Sequence, residues 1–324
     1  MPDDSSVPRE SERGREASGP QHVPLRGWKD ILVRSKNELS DNNIFLASGG
    51  VTYAVLLALF PGLAALVSIY GLVLDPRQIE AQVNSLTGVL PEQSRQMLSQ
   101  QLHQLVSSSH GTLGVSAVIG LLLALWSASR GMSGLMSALD IAYEETETRG
   151  FLKFNFVAVL LTLGLMAAGI VAIVLVAGLP AVMQVLGSDG RLKWLLLIVQ
   201  WPVLMILMIV GLAVVYRYAP DRHAPQWRWI SPGAILATVL WLVASVAFTV
   251  YVANFSSYNR TYGSLGGAVL LLTWLYITSF TVLLGAVVNA QAEQQTERDT
   301  TTGRPAPRGE RDAHAADIVG PSTG

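Results

Sequence analysis

Six apolar stretches, almost free of charge, divide the chain: residues 44–74, 112–135, 156–185, 194–216, 230–253 and 265–290. At ~1.5 Å per helical residue, each can reach across most or all of a hydrocarbon layer ~30 Å thick. A water-soluble core has no place for so many uninterrupted apolar runs, whereas a bilayer requires them. The pattern predicts an all-α fold, a polytopic membrane helix bundle with six transmembrane helices. The first run is longer than the hydrocarbon needs, and Pro61 falls in its middle. Either it is one tilted, kinked span, or it turns back at Phe60-Pro61-Gly62 as a re-entrant hairpin, which would leave five crossings. In the second run the helical pattern continues past Arg130 to Tyr143, so this helix is expected to project from the membrane.

The polar segments read differently. In residues 77–109, Ile79, Val83, Leu86 and Leu90 recur at helical spacing, as do Leu98, Leu102 and Leu105. Pro91 suits the first turn of a second helix. This pair of amphipathic helices is expected to form an extracytoplasmic cap over the bundle. Trp28, Ile31, Leu32 and Leu39 predict a short interfacial N-terminal helix, with Lys29, Arg34 and Lys36 facing lipid headgroups. The membrane domain is therefore expected over residues 27–292. Residues 1–26 and 293–324, rich in Gly, Pro, Ser, Arg and Glu, read as disordered cytoplasmic tails.

Charge orients the bundle. Arg77, Arg95, Arg191, Lys193 and Arg260 fall on one side of the six-span topology, and the other Lys and Arg of the 22 fall on the side of both tails. Positive charge is retained in the cytoplasm, so both termini are expected there, at a bacterial plasma membrane. Met1–Asn43 lacks the apolar segment of a signal peptide, and nothing suggests cleavage. Hydrophobic residues make up 51% of the chain and charged ones only 14%, which agrees with the spans. The net charge of −1 gives no footprint for nucleic acid. Cysteine is absent, which excludes disulfides, thiol catalysis and cysteine-ligated zinc.

Candidate chemistry inside the spans is sparse. Arg130 stands at a cytoplasmic boundary. It either snorkels to the interface or pairs with Asp140 or Glu144, or it binds an anionic headgroup or phosphate. Thr52, Tyr53, Gln200, Thr249, Tyr251, Thr273 and Thr278 could line a polar groove; each also has an ordinary role in bonding a neighbouring helix. Pro61 and Pro202 serve as hinges or as static kinks. Ser129, Ser133 and Ser137 form a small-residue stripe, and Gly263-x-x-x-Gly267 another, both read as helix-packing seams. Tyr258 and Tyr262 on one side, and Trp227 and Trp229 on the other, read as interfacial belt residues.

Several segments together resemble the YihY/BrkB family of bacterial membrane proteins, once labelled ribonuclease BN. They are Gly49-Gly50-Val51-Thr52-Tyr53 with Leu59-Phe60-Pro61; Trp126-Ser127-Ala128-Ser129-Arg130 with Ala138-Leu139-Asp140-Ile141-Ala142-Tyr143; Tyr216-Arg217-Tyr218-Ala219-Pro220 with Pro232-Gly233-Ala234; and Thr261-Tyr262-Gly263-Ser264-Leu265-Gly266-Gly267 with Trp274-Leu275-Tyr276 and Leu284-Gly285-Ala286. The resemblance covers about residues 27–292 and implies six spans in a bacterial inner membrane. It also draws attention to Asn289 in the closing Gly-Ala-x-x-Asn-Ala motif. Family members usually carry Glu shortly before that Asn, where this chain has Val288.

Three functions are weighed. A ribonuclease would need carboxylates or histidines gathered on a metal, but His22, His103, His110, His223 and His314 are scattered. No basic stripe with aromatic platforms invites nucleic acid. The absence of acids within the spans argues against a proton-coupled pump. The preferred expectation is a non-enzymatic protein that moves a lipid-like or anionic amphiphile, with Arg130, Tyr53, Pro61, Gln200, Tyr251, Tyr262 and Asn289 along its path. A structural or interaction protein of the envelope is the alternative. Membrane lipids are the expected partners and no cofactor is expected; no residue pattern fixes an oligomeric state.

Overall fold

The computed structural model describes residues 13–73, 113–178, 190–254 and 264–323. These contain helices α1 (Leu25–Asp41), α2 (Ile44–Val73), α3 (Leu113–Tyr143), α4 (Phe151–Ile173), α5 (Gly190–Tyr218), α6 (Trp227–Asn254), α7 (Ser264–Glu293) and the short α8 (His314–Asp317). A π-helical turn, Val174–Gly178, continues α4. The all-α expectation holds. Helices α2, α4, α5, α6 and α7 are long and apolar enough to cross a membrane. The remaining expected span, 112–135, falls on α3, a helix of 31 residues that runs on to Tyr143. The expected outer cap at 77–109, together with Tyr258, Tyr262 and Gly263, lies outside the described residues. Helix α2 passes through Pro61 without turning back, which removes the re-entrant alternative.

The bundle is apolar outside, and within it hydroxyl side chains are buried among an aliphatic core. Leu46, Leu57 and Phe60 of α2, Phe156 and Leu160 of α4, Ile198 and Ile206 of α5, and Val243 and Val246 of α6 are all exposed. Ser48, Thr52, Ser129, Thr162 and Thr238 are buried. Their hydroxyls largely return to their own helix, as Ser48 does to the Ile44 carbonyl at 2.8 Å and Thr238 to that of Ala234 at 2.8 Å. An outer surface of this kind fits hydrocarbon and not water.

Between such helices Leu gains little over lipid, so close approach depends on small residues. Helix α7 is central and packs against α1, α2, α3 and α6. It crosses α6 with backbones in contact: a Cβ added at Gly233 would overlap the Gly285 carbonyl, and one at Gly285 would meet the Gly233 carbonyl and the Tyr216 hydroxyl. The second seam joins α2 to α3, where a Cβ at Gly131 would come within 2.9 Å of the Ala58 Cβ and one at Gly134 within 2.7 Å of the Ala54 Cβ. The expected seams fare differently. Ser129 and Ser133 are buried and Ser137 is exposed, their hydroxyls bonding within α3. Gly267 has open space around it, so no helix among the described residues uses it as a seam.

The polar ends are folded where disorder was expected. Residues 13–23 and 294–323 lie against α1, α7 and the connections between helices. Polar composition leaves little apolar surface to bury, but here arginines and amide side chains satisfy buried carbonyls. Arg15 donates to Gly320 O at 2.7 Å, Gln295 to Arg13 O at 2.8 Å, and Thr296 to Ala17 O at 2.7 Å. Arg34, expected at headgroups, is buried instead. It donates to the Gln291 side chain at 2.7 Å, the Gln291 carbonyl at 2.9 Å and the Gln295 side chain at 2.8 Å. Burial, with Arg15 nearby, lowers its pKa to about 10. Trp229 is likewise a core residue and not a belt residue, packed with Ile31, Val288 and Ala292 beneath α1. Trp227 is exposed, beside Arg217 at 4.7 Å from its ring centre.

Overpacking a close crossing typically costs ~1–3 kcal/mol. Gly233→Ala and Gly285→Ala should each lower the unfolding midpoint of the detergent-solubilised protein, whereas Gly267→Ala should leave it unchanged. Thermal unfolding followed by size exclusion measures all three.

Candidate functional site

The last turn of α3, the connections 144–150 and 219–226, and the end of α7 meet at the end of the bundle against which residues 13–23 and 294–323 lie. Helix α3 stops in a Schellman turn: the Glu145 amide donates to Asp140 O at 2.8 Å and the Glu144 amide to Ile141 O at 3.2 Å. Glu144 takes the left-handed position that usually falls to Gly, with φ 57°. This reversal turns Glu145 back toward the bundle axis while Asp140 and Tyr143 face inward from α3.

At the centre Arg222 and Glu293 form an ion pair of 2.7 Å, with no side-chain exposure on either partner. A second contact, Arg222 Nη1 to Glu293 Oε1 at 3.1 Å, makes it bidentate. The guanidinium lies over the Tyr143 ring, 5.0 Å from its centre, and Nε stands 3.9 Å from Glu145. Thr300 donates to the same Glu293 carboxylate at 2.7 Å. One turn back on α7, Asn289 accepts the Gly233 amide at 2.7 Å and faces Tyr143. Gly285, Asn289 and Glu293 therefore mark one face of α7, toward α6, α3 and the 219–226 connection.

A second set of charges surrounds this pair. Asp140 accepts the Asp221 amide at 2.8 Å; Asp221 accepts the Thr148 hydroxyl at 2.6 Å; Arg149 bridges Glu147 at 2.6 Å and Asp221 at 3.4 Å. Burial raises the Asp140 pKa to about 6, more than the Asp221 amide and Arg149 lower it. Burial likewise raises Glu145 to about 7, against the pull of Arg222 and the His314 amide. Burial opposes the charge on Arg222, but Glu293, Tyr143 and Glu145 reverse that, and its pKa rises. The cluster can therefore hold and release protons on carboxylates near neutral pH. Among the described residues no three His, Asp or Glu side chains converge as a metal-ligand set.

The expected site residues are dispersed. Arg130 is exposed on α3, with its guanidinium 4.7 Å from the Trp126 ring centre and no carboxylate of the described residues at pairing distance. Neither expected partner holds it: Asp140 serves Asp221, and Glu144 faces His314 at 3.4 Å. Tyr53 (64% exposed) and Tyr251 (48% exposed) face outward, and Gln200 is buried. Thr249 and Thr273 bond back to their own helices, whereas Thr278 accepts from Trp241 at 3.1 Å. No hydrogen bond among the described residues joins Tyr53, Gln200 and Asn289 to one another.

The model of the family described as virulence factor BrkB matches residues 36–310. The chain belongs to the YihY/BrkB family. A ribonuclease-like protein of Bacillus subtilis, YfkH, is 28% identical over 75% of this chain and 88% of its own length. A UPF0761 membrane protein of Idiomarina loihiensis is 24% identical over 79% of this chain and 88% of its own. A UPF0761 membrane protein of Xanthomonas campestris is 39% identical, but over 25% of this chain and 19% of its own. No solved structure matches the chain. Within this YihY/BrkB protein, Val288 packs with Trp229 and Ile31 on the α1 side of α7. The buried acid of α7 here is Glu293, one turn beyond Asn289. Sequence reading assigned Glu293 and Arg222 to a tail and a loop; the signal available was the four-residue spacing of Gly285, Asn289 and Glu293.

Removing one partner of a buried ion pair leaves an uncompensated charge and costs ~3–5 kcal/mol. Arg222→Ala or Glu293→Ala should therefore cause large losses of folded protein, and the double variant should recover part of the loss of either single one. A thermal-stability cycle measures the recovery.

Proposed function

We infer that this YihY/BrkB protein is a non-enzymatic translocator of a lipid-like or anionic amphiphile in a bacterial plasma membrane, crossing it six times. The observation that carries this reading is Arg130: a charge at the expected membrane boundary, exposed and without a carboxylate partner among the described residues. Leu122, Trp126 and Arg130 follow one another at i, i+4 and i+8 on the exposed face of α3, and Phe151 lies 6.4 Å from Trp126. An anionic headgroup on the guanidinium would leave its acyl chains against these apolar side chains. The clustering of Lys and Arg on the side of the termini supports a cytoplasmic location for that end, hence for Arg130 as an inner-leaflet contact.

Reconstitution tests the reading. Vesicles containing the protein should move a fluorescent phosphatidylglycerol between leaflets faster than protein-free vesicles. Loss of a hydrogen bond to a charged group is worth ~1.5–3 kcal/mol, so Arg130→Ala should slow movement about tenfold or more while the protein stays folded. Unchanged movement in Arg130→Ala would remove Arg130 from the path, and wild-type movement equal to protein-free vesicles would contradict translocation of this lipid. The ribonuclease-like name of the Bacillus relative supplies a competing outcome: RNA cleavage by the purified protein, abolished by a chelator, would replace translocation with catalysis.

A further inference from the structure

Helix α1 presents two unlike faces. Toward the bundle, Ile31 packs with Trp229, Val288 and Ala292, while Asp30 and Arg34 hold both chain ends. Asp30 accepts Arg13 at 2.9 Å and the Thr323 hydroxyl at 2.6 Å, and Arg34 donates to Pro321 O at 3.1 Å. Away from the bundle, Leu25, Lys29, Leu32 and Lys36 recur at i, i+4, i+7 and i+11. All four are exposed, Leu25 at 89% and Leu32 at 56%. Neither lysine forms an ion pair among the described residues.

Trp28 and Ile31 share a cluster with Leu236 of α6 and Leu284 of α7, both inside helices long and apolar enough to cross a membrane. Leu39, near the other end of α1, packs against the core that includes Ile44 of α2. Helix α1 thus passes from the α6 side of α7 to the α2 side, across the bundle and level with the ends of its spans. At ~100° per residue, Trp28, Leu39, Leu32 and Leu25 come first around its circumference. Lys36 and Lys29 follow, and Asp30 and Arg34, with the chain ends, lie beyond them. An apolar edge beside the spans, a basic band and a polar cap repeat the order of hydrocarbon, headgroups and water across one leaflet. Val33, 36% exposed beyond the lysines, is the exception.

We propose that this face of α1 docks on anionic lipid of the leaflet nearest the chain ends, with Leu25 and Leu32 among acyl chains and Lys29 and Lys36 on headgroup phosphates. The proposal concerns α1 and rests neither on Arg130, which stands on α3, nor on translocation. Alternating leucine and lysine suits this partner, because lysine stems lie along acyl carbons while their ammonium groups reach headgroup level. Two unpaired cations on one face complement a negatively charged leaflet. Ile235 and Val239, on either side of Leu236 along α6, are exposed, so lipid coating α6 borders on the apolar edge of α1.

The chain has no cysteine, so Leu32→Cys can carry a single bimane in the full-length protein, in nanodiscs of mixed phosphatidylcholine and phosphatidylglycerol. Acyl chains brominated on one lipid or the other quench a probe only on contact, and so report both its depth and its neighbour. Bimane at position 32 should be quenched. Brominated phosphatidylglycerol should quench about fivefold more per molecule than brominated phosphatidylcholine, the enrichment expected from one lysine or more at an anionic surface. Lys29→Gln combined with Lys36→Gln should bring the two lipids level without removing the quenching. Bimane on Asn37→Cys, exposed beyond the basic band, should be quenched little. Leu25→Cys supplies a second apolar position if Leu32→Cys does not reconstitute. A water-like spectrum unquenched by either lipid would overturn the docking and leave the face to a soluble partner. Equal quenching by the two lipids with both lysines present would overturn the choice of anionic lipid.

Discussion

A charge removed from both water and lipid headgroups must be paired, and the Arg222–Glu293 pair is where this chain meets that constraint most completely. Neither side chain retains any exposure. The pair fixes the end of α7 to the 219–226 connection, brings Tyr143 of α3 against the guanidinium, and draws Thr300 onto the carboxylate. Its burial requires walls on every side. The Schellman turn after α3, the Arg149–Asp221 bridge and the polar segment after Glu293 supply them. Burial this deep costs free energy that apolar packing would not, so the pair fits a role in specifying one arrangement of the helix ends more than in adding stability.

The rest of the bundle obeys the complementary rule. Where hydrocarbon is the solvent, apolar exteriors cost nothing and helices gain by approaching closely. Gly233 and Gly285 bring α6 and α7 into backbone contact, and Gly131 and Gly134 let α3 approach Ala54 and Ala58 of α2. The Tyr216 hydroxyl, at 2.7 Å from Val282 O, ties α5 to the same α7 segment. One helix thus serves two solvents: α7 carries glycine and aliphatic contacts along its length and a carboxylate at its polar end.

This division explains which features were legible in the sequence. Uncharged runs longer than any soluble core needs identified the spans directly, and Pro61 did not break α2 because one missing amide is tolerable in a long helix whose neighbours remain packed. The polar ends were misread for the opposite reason. Composition reports how much apolar surface a segment can bury, and residues 294–323 bury little; they are ordered by Arg15, Arg34 and Gln295 bonding to carbonyls far away in sequence. Such pairings leave no periodicity. Arg34 looked like a headgroup contact because its neighbours Lys29 and Lys36 face outward, yet it sits on the face of α1 that meets Gln291 and Gln295. The glycine crossings were visible as letters within the Pro232-Gly233-Ala234 and Leu284-Gly285-Ala286 motifs, but nothing in either motif alone says that the two meet.

The central claim is that one end of this membrane bundle is closed by an ordered polar cap built from both chain ends. Hydrogen exchange of the full-length protein in nanodiscs at pH 6 addresses it directly. The account predicts that the amides of Gln294, Thr296, Glu297, Thr302 and Gly320, each bonded to a backbone carbonyl, exchange orders of magnitude more slowly than free peptide. Exchange of all five at the rate of an unstructured chain would contradict it, and the buried ion pair would lose the wall that covers it.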